Sequence, residues 1–243
     1  MRIGVYVDGF NLYYGGRANC GRGAPGWRWL DIRALAQSLV NARVSWRGAH
    51  IERVVYCTAR VDGAISASAH ADQDVYLKAL LAHGSVDHIE YGYYVARVRS
   101  APLAVKDAKG RPQLVRPQWP VLIQDKNGAP VLDAVFMMSV VNREEKGSDV
   151  NVASHLITDV LTGVVDGVVV ISNDSDLRLP LRQTRQNVPV GLINPSPGPL
   201  AASLRDQAAV GVGGHWWRQL TDNEFYAHQL PDPVARYNRP AEW

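Results

Sequence analysis

The sequence predicts an α/β protein with a mostly parallel central sheet and a β-rich insertion. Short apolar runs that suit buried strands alternate along the chain with longer amphipathic segments that suit helices. Hydrophobic residues make up 47% of the 243 residues and charged residues 20%, so the chain can bury a sizeable core. A proline-rich segment in the middle interrupts the alternation. This pattern favours a parallel sheet that is covered by helices and carries one inserted segment.

The first half of the chain alternates three strands with two helices. Residues 3–7 form an apolar run that Asp8-Gly9 ends, and residues 15–28, rich in glycine and arginine, are predicted to form a loop. Asp31 is a suitable N-cap for a helix that continues to Ala42. The other predicted elements are a strand at residues 51–57, a helix at 69–83 and a strand at 87–98.

The second half continues the alternation after the insertion. Residues 133–142 are apolar but suit a strand and a helix equally. A helix is predicted at residues 148–162, where Gly163 ends it, and residues 167–171 are the clearest central strand. The remaining predictions are a helix at 175–186 that Pro180 kinks or delays, a strand at 188–193, a short helix at 200–209 and a loose tail from 231.

The inserted segment is basic. It carries five prolines and the turn signals Lys109-Gly110 and Asn127-Gly128, and its short apolar runs suit β-ribbons. Residues 97–126 contain seven basic and two acidic residues, a charge of +5, whereas the whole chain has +3, so the remainder has −2. The predicted organisation is a domain over residues 1–210 with a basic β-ribbon insertion at about 97–130, followed by a C-terminal extension over 211–243.

The composition indicates a reduced, aqueous compartment. Cys20 and Cys57 are far apart and lack metal-ligand spacing, which favours two free thiols. The chain enters its first strand without the apolar region of a signal peptide, and no apolar run has the length that spans a bilayer. We therefore expect a cytoplasmic protein that makes no contact with a membrane.

Acidic and amide side chains follow two of the predicted strands. Asp8 and Asn11 follow the first strand, Asp174 and Asp176 follow the central one, and Asp149 opens a helix. Ligands of parallel α/β sheets bind beyond the carboxyl ends of the strands, so these side chains are expected to meet there. Carboxylates held together repel one another unless a cation neutralises them. Oxygen ligands of this kind suit Mg²⁺ or Mn²⁺.

Three motifs carry a resemblance to a known family. They are, in order, Val7-Asp8-Gly9-Phe10-Asn11-Leu12, Glu145-Lys146-Gly147-Ser148-Asp149-Val150 and Ile171-Ser172-Asn173-Asp174-Ser175-Asp176. Together they resemble the NYN domain, a PIN-like nuclease group that includes LabA-like proteins, over about residues 2–195. The chain departs from the family in two ways. Leu177 stands where an aromatic residue is common, and the insertion is longer and more basic than a minimal domain requires.

The resemblance implies a Rossmann-like or PIN-like three-layer sandwich and a metal-dependent endoribonuclease. Asp8, Asp149, Asp174 and Asp176 would be its catalytic residues and the ligands of Mg²⁺ or Mn²⁺, and Asn11 a further ligand or substrate contact. An acidic metal site of this kind serves the hydrolysis of RNA phosphodiester bonds.

The remaining expectations concern the substrate and partners. Lys146 is placed to meet a phosphate, and Ser172 and Asn173 can hydrogen-bond the metal ligands. Arg111 and Arg116, in the basic insertion, are expected to bind the phosphates of a structured RNA. RNA is therefore the expected partner, and a homodimer is a further open expectation.

Structural roles compete with these functional ones. Asp8 is also typical of a turn and Asp149 of a helix N-cap, and Asp174 and Asp176 suit a turn followed by a cap. His155 is expected to be packed or at the surface. The histidines without ligand spacing, which are expected to be incidental, are His70, His83 and His88.

Other function classes are less favoured. A phosphatase that attacks through aspartate usually has a second aspartate two residues after the first, where this chain has Phe10. Dinucleotide binding is disfavoured because no G-x-G-x-x-G comes directly after the first strand. The alternative that stays open is a catalytically weak module of the same fold that binds RNA or a protein.

Overall fold

The computed structural model describes residues 1–205 and 208–243. The chain forms two compact units, a larger one made of Met1–Tyr93 and Glu145–Trp243 and a smaller one made of Tyr94–Glu144. The larger unit is a mixed α/β fold in which helices surround a mostly parallel sheet, which confirms the coarse class predicted from the sequence. Among the described residues, no helix is both long and apolar enough to cross a bilayer.

The described residues contain nine strands, seven of which form the main sheet. The strands are β1 (Arg2–Asp8), β2 (His50–Ala59), β3 (His88–Pro102), β4 (Ala104–Lys106), β5 (Pro112–Leu114), β6 (Met137–Lys146), β7 (Gly167–Ile171), β8 (Val190–Asn194) and β9 (Trp216–Gln219). The main sheet has the order β6-β3-β2-β1-β7-β8-β9. Its neighbouring strands from β3 to β9 run parallel.

Two hydrophobic clusters form the core. Val5 and Val7 of β1 belong to one cluster and Tyr6 to the other, because successive side chains of a strand point to opposite faces of the sheet. Burial on both faces explains the uninterrupted apolar runs of the central strands. The α-helices of the described residues are α1 (Gly9–Cys20), α2 (Ile32–Asn41), α3 (Ala67–His83), α4 (Ser148–Leu161), α5 (Arg178–Thr184) and α6 (Asp222–Ala227).

The order of the strands reverses at β1. The chain first builds the sheet outward from β1 through β2 to β3, and later builds it in the opposite direction through β7, β8 and β9. The connections that follow β1 and β7 therefore leave the sheet in opposite directions. In open α/β sheets, a crevice at such a reversal is where ligands bind.

Aspartate side chains cap the first two α-helices. The Asp31 side chain accepts a hydrogen bond from the Ala34 N–H at 3.1 Å, which confirms it as the N-cap of α2. Asp8 caps α1 in the same way, through the Asn11 N–H at 3.0 Å. Helix α1 continues to Cys20, so the loop predicted from residue 15 begins later.

Helix α1 continues through glycines because it packs closely on its neighbours. A Cβ atom at Gly15 would collide with the backbone carbonyl of Pro195. We expect Gly15→Ala to lower the free energy of unfolding by about 1–3 kcal/mol, because overpacking outweighs the better helix propensity of alanine. Urea denaturation measures this change. At Gly63 a Cβ would meet only ordinary contacts, so Gly63→Ala is the control, and an equal loss of stability there would contradict the packing explanation.

The smaller unit contains the predicted turns. Strands β4 and β5 pair antiparallel in a two-stranded sheet. Gly110 and Gly128 have φ angles of 76° and 81°, in the left-handed region that glycine adopts without strain, which confirms both turn signals. Asp107 and Asp125 accept the backbone N–H groups of these turns.

Three other sequence expectations are refined or changed. The ambiguous stretch at 133–142 contributes to strand β6, which continues to Lys146. The helix expected at 200–209 is a single 3-10 turn at Ala202–Leu204, and part of that prediction lies outside the described residues. Within residues 211–243, β9 extends the main sheet beside β8, and Phe225 is buried in the first cluster.

Candidate functional site

Asp8 ends β1 beside the end of β7, at the reversal of strand order, and we call this place the crevice. The Asp8 side chain is 1% exposed, and three donors hold it. The Asn11 side chain donates to Asp8 Oδ2 at 2.7 Å, the Asn11 backbone N–H to Oδ1 at 3.0 Å, and the Ser172 hydroxyl to Oδ2 at 3.0 Å. Ser172 directly follows β7 and is fully buried, so the two strand ends are tied together at this point.

Two further carboxylates reach Asp8. Carboxylate oxygens of Asp8, Asp149 and Asp174 lie within 4.8 Å of one another, and we call these residues the acidic cluster. Asp149 comes from the first turn of α4, and Asp174 from the N-cap of the 3-10 turn Ser175–Leu177. Asp176 is exposed, and its backbone N–H donates to Asp174 Oδ1 at 2.9 Å. The structure therefore joins three of the four expected aspartates.

Two members of the acidic cluster, Asp149 and Asp8, have raised pKa values. Burial raises the pKa of Asp149 to about 7, and the charges of Asp8 and Asp174 contribute to this rise to a smaller extent. Burial also raises the pKa of Asp8, although its hydrogen bonds from Asn11 and Ser172 oppose that rise. A carboxyl group with a pKa near 7 can take up or release a proton at the pH of the cell, which is the property of a general acid or base.

The polar residues around the cluster fix its loops. The Asn173 N–H donates to Asn11 Oδ1 at 3.2 Å, and Asn173 Oδ1 accepts the Ala201 N–H at 2.8 Å. Glu145 accepts from both the N–H and the hydroxyl of Ser148 and so caps α4. Lys146 is the last residue of β6 and follows Glu145 directly in the chain.

Arg111 and Arg116 lie in the smaller unit, where each is engaged. Arg111 pairs with Asp107, with its Nη2 2.9 Å from Asp107 Oδ2, and Arg116 donates to the Asp133 carbonyl. Their binding of RNA, the RNA partner itself and a homodimer stay predictions.

A row of side chains leads from Asp8 across the sheet. Asp8 pairs in register with Cys57 of β2, and Cys57 with Glu90 of β3. Side chains in register on parallel strands share a face, and this is the face that α4 covers. Cys57 is buried between the two acidic residues, and burial, together with the charges of Asp8 and Glu90, raises the pKa of its thiol. The thiol therefore stays protonated.

Glu90 belongs to a second cluster, with one histidine from β3 and one from α4. Nε2 of His88 lies 3.0 Å from Glu90 Oε2, and Nε2 of His155 lies 3.1 Å from the same oxygen. We call these three residues the His–Glu–His cluster. It was not predicted from the sequence, where His88 was expected to be incidental and His155 to be packed or at the surface. The available signal was the spacing of His88 and Glu90, since residues two apart on a strand point to the same face.

The comparisons with known proteins found similarity to a monooxygenase over the whole chain. The chain is 28% identical over 263 aligned positions to 6-hydroxy-3-succinoylpyridine 3-monooxygenase HspA of Pseudomonas putida strain DSM 28022 / S16, and the alignment covers 100% of this chain and 75% of that protein. No family model matches the chain. A crystal structure of VPA0982, a Vibrio parahaemolyticus protein of unknown function, is 14% identical with a TM-score of 0.43, and covers 94% of this chain and 96% of that one. That level of structural similarity supports no conclusion.

These findings overturn the nuclease interpretation. The resemblance to the NYN domain was wrong, because no family model supports it and the full-length similarity is to a monooxygenase. Metal-dependent RNA hydrolysis was wrong for the same reason, and so were the Mg²⁺ or Mn²⁺ cofactors expected with it. The motifs misled because strand-end aspartates at a reversal of strand order suit several kinds of ligand chemistry.

Proposed function

We propose that this protein is a monooxygenase that oxygenates a hydroxylated pyridine ring bearing an acidic side chain. The observation that carries the proposal is the 28% identity to 6-hydroxy-3-succinoylpyridine 3-monooxygenase, which extends over the whole of this chain. The fold supports it by providing a crevice at the reversal of strand order with a proton-exchanging group inside. We also propose that the larger unit is a Rossmann-like three-layer sandwich, because buried clusters lie on both faces of its sheet.

The proposed reaction needs one dioxygen and two electrons per turnover. In 6-hydroxy-3-succinoylpyridine the carbon that takes up oxygen carries the succinoyl group, so the bond between this carbon and the acyl carbonyl must break. One oxygen atom becomes the new ring hydroxyl group and the other becomes water, while a water molecule captures the released acyl group as succinic acid. An external donor such as NADH supplies the two electrons, with two protons taken up in total. Positions 3 and 6 of a pyridine lie opposite each other. Loss of the proton from a 6-hydroxyl group therefore raises the electron density at position 3, where oxygen enters.

Asp149 is the residue proposed to accept that proton. Its pKa of about 7 matches the operating pH, which gives a general base its greatest effect. Burial maintains this pKa, with a further contribution from the charges of Asp8 and Asp174. Asn11, Ser172 and Asn173 hold the loops around the cluster in place through hydrogen bonds. Lys146 is proposed to meet the acidic side chain of the substrate.

The crevice does not fit a cofactor with a pyrophosphate. In dinucleotide-binding folds that group sits at the amino end of the first helix. Here the Asp8 carboxylate occupies this position, with its Oδ1 accepting the Asn11 N–H of α1, and Asp149 and Asp174 add acidic groups beside it. Anions at this place would repel the phosphates.

Oxygen uptake tests the proposed function. The protein is supplied with NADH and 6-hydroxy-3-succinoylpyridine, in separate reactions with Fe(II), FMN or FAD, and oxygen consumption is followed together with ¹⁸O incorporation from ¹⁸O₂. We expect substrate-dependent uptake, one ¹⁸O atom in the product and one NADH oxidised per oxygen. 3-Succinoylpyridine, which lacks only the hydroxyl group, serves as the control and should react slowly. Absence of uptake in every reaction would overturn the proposal.

A further inference from the structure

We infer that His88, Glu90 and His155 form a binding site for a redox-active divalent metal ion, and that the ion is ferrous iron. Two histidines and one carboxylate are the ligand set of mononuclear non-haem iron(II) oxygenases. The metal site follows from the geometry of the His–Glu–His cluster, whereas the choice of iron rests on the proposed function. The cluster lies outside the crevice and takes no part in the acid–base chemistry assigned there.

The spacing of the ligand atoms suits one ion. Two atoms that each lie about 2.1 Å from an ion, at right angles, are about 3.0 Å apart. The measured separations of Glu90 Oε2 from the two histidine nitrogens are 3.0 and 3.1 Å. Ligand atoms of all three residues lie within 4.8 Å of one another. A metal can therefore replace the two hydrogen bonds with little movement of the side chains.

The supporting elements are rigid, and the site is open. His88 and Glu90 project from the same face of β3, where the strand pairs with β2, and His155 projects from the middle of α4. Ligands on regular elements hold a metal more precisely than ligands on loops. The side chains are 44%, 38% and 23% exposed, so dioxygen and a substrate can reach an ion held between them.

The position relative to the acidic cluster suits a shared substrate. Glu90 lies in register with Cys57 and Cys57 with Asp8, two strand spacings away, which is about 10 Å. Both clusters face α4. We propose that one substrate meets both clusters, with its hydroxyl proton going to Asp149 and another part of the molecule reaching the His–Glu–His cluster. Iron held there would supply the activation of dioxygen that the proposed reaction requires.

Metal binding can be measured without turnover. The full-length protein is freed of metal with a chelator and titrated without oxygen, first with Co(II), whose visible absorption reports nitrogen ligands, and then with Fe(II) and nitric oxide, followed by electron paramagnetic resonance. We expect one ion per chain. His155→Ala and Glu90→Gln should weaken binding by more than about 100-fold, because loss of an outer partner alone costs about 10–100-fold. Near-ultraviolet circular dichroism confirms that the variants are folded.

The chain contains a matched control. His50 and Glu52 have the same spacing on β2, with 3.3 Å between His50 Nε2 and Glu52 Oε2, and are exposed. His50→Ala should leave binding unchanged.

Binding that persists in His155→Ala but disappears in Asp149→Asn would place the ion at the carboxylates and overturn the inference, as would the absence of binding. Oxygenation that survives complete metal removal would overturn the role of iron and leave the proposed function intact. Metal binding without oxygenation in any reaction would overturn the proposed function and leave the metal site intact.

Discussion

Replacing Asp159 by alanine is expected to lower the free energy of unfolding by about 3–5 kcal/mol, because it leaves buried partners of the carboxylate unpaired. Asp159 is a buried residue of α4. Its Oδ2 accepts the Tyr6 hydroxyl at 2.9 Å, and its Oδ1 lies 2.9 Å from Nη1 of Arg53. The variant leaves the buried Tyr6 hydroxyl group without its acceptor, and it leaves the partly exposed Arg53 guanidinium without its carboxylate partner. Chemical denaturation monitored by circular dichroism measures the change.

A second Asp–Arg pair, at the start of β1, provides the contrast. Arg2 and Asp166 pair at 2.7 Å, but both side chains are more than 40% exposed. Because solvent screens such pairs, Asp166→Ala should destabilise the protein far less than Asp159→Ala. Tyr6→Phe removes one of the two partners of Asp159 and should give an intermediate loss. Equal losses for Asp159→Ala and Asp166→Ala would contradict the role assigned to burial.

Replacing Asp149 by asparagine is expected to raise stability at pH 8 and to remove activity. The folded-state pKa of Asp149, about 7, exceeds its ordinary value of 3.8, so between these values the folded state binds more protons than the unfolded state. Stability is therefore lost as pH rises from about 4 to about 7. Three pKa units correspond to about 4 kcal/mol, and allowance for partial exposure reduces the expected gain of the variant to about 1–2 kcal/mol.

The effect has a distinct pH profile. Asparagine and protonated aspartic acid have the same charge, so the stability difference between variant and wild type should vanish near pH 4 and reach its plateau above pH 7. Asp176→Asn should give a smaller gain of the same sign, because the Asp176 charge makes the smallest contribution to the pKa of Asp149. Activity in Asp149→Asn should fall by about 10²–10⁴-fold, as for loss of a general base. A stability difference independent of pH would show that Asp149 titrates normally.

The alternation of strands and helices was predictable because it depends on local sequence. Residues 167–171 are apolar throughout and become β7, which is buried on both faces. Asp31 was recognisable as a cap because capping needs only its own side chain and an N–H three residues on. The meeting of Asp8 with Asp174 followed from the rule that parallel strands end at one edge of a sheet.

The features of the fold and of the candidate site that the sequence did not predict depend on contacts between distant segments. His155 is 65 residues from Glu90, and only the packing of α4 against the sheet brings them together. The continuation of α1 through Gly15 depends on Pro195, which no local pattern reveals. The motifs around Asp8, Asp149 and Asp174 contain carboxylates that lie together in the fold, but three carboxylates do not by themselves specify one reaction.

The central position of β1 has a consequence for synthesis of the protein on the ribosome. One edge of β1 can pair with β2 soon after residue 59 emerges, but the other must wait for β7, which ends at residue 171. At about 5–20 residues per second, this apolar edge stays open for roughly ten seconds. Unpaired strand edges are templates for aggregation, so the yield of soluble protein should depend on translation speed, growth temperature and chaperones that shield nascent chains.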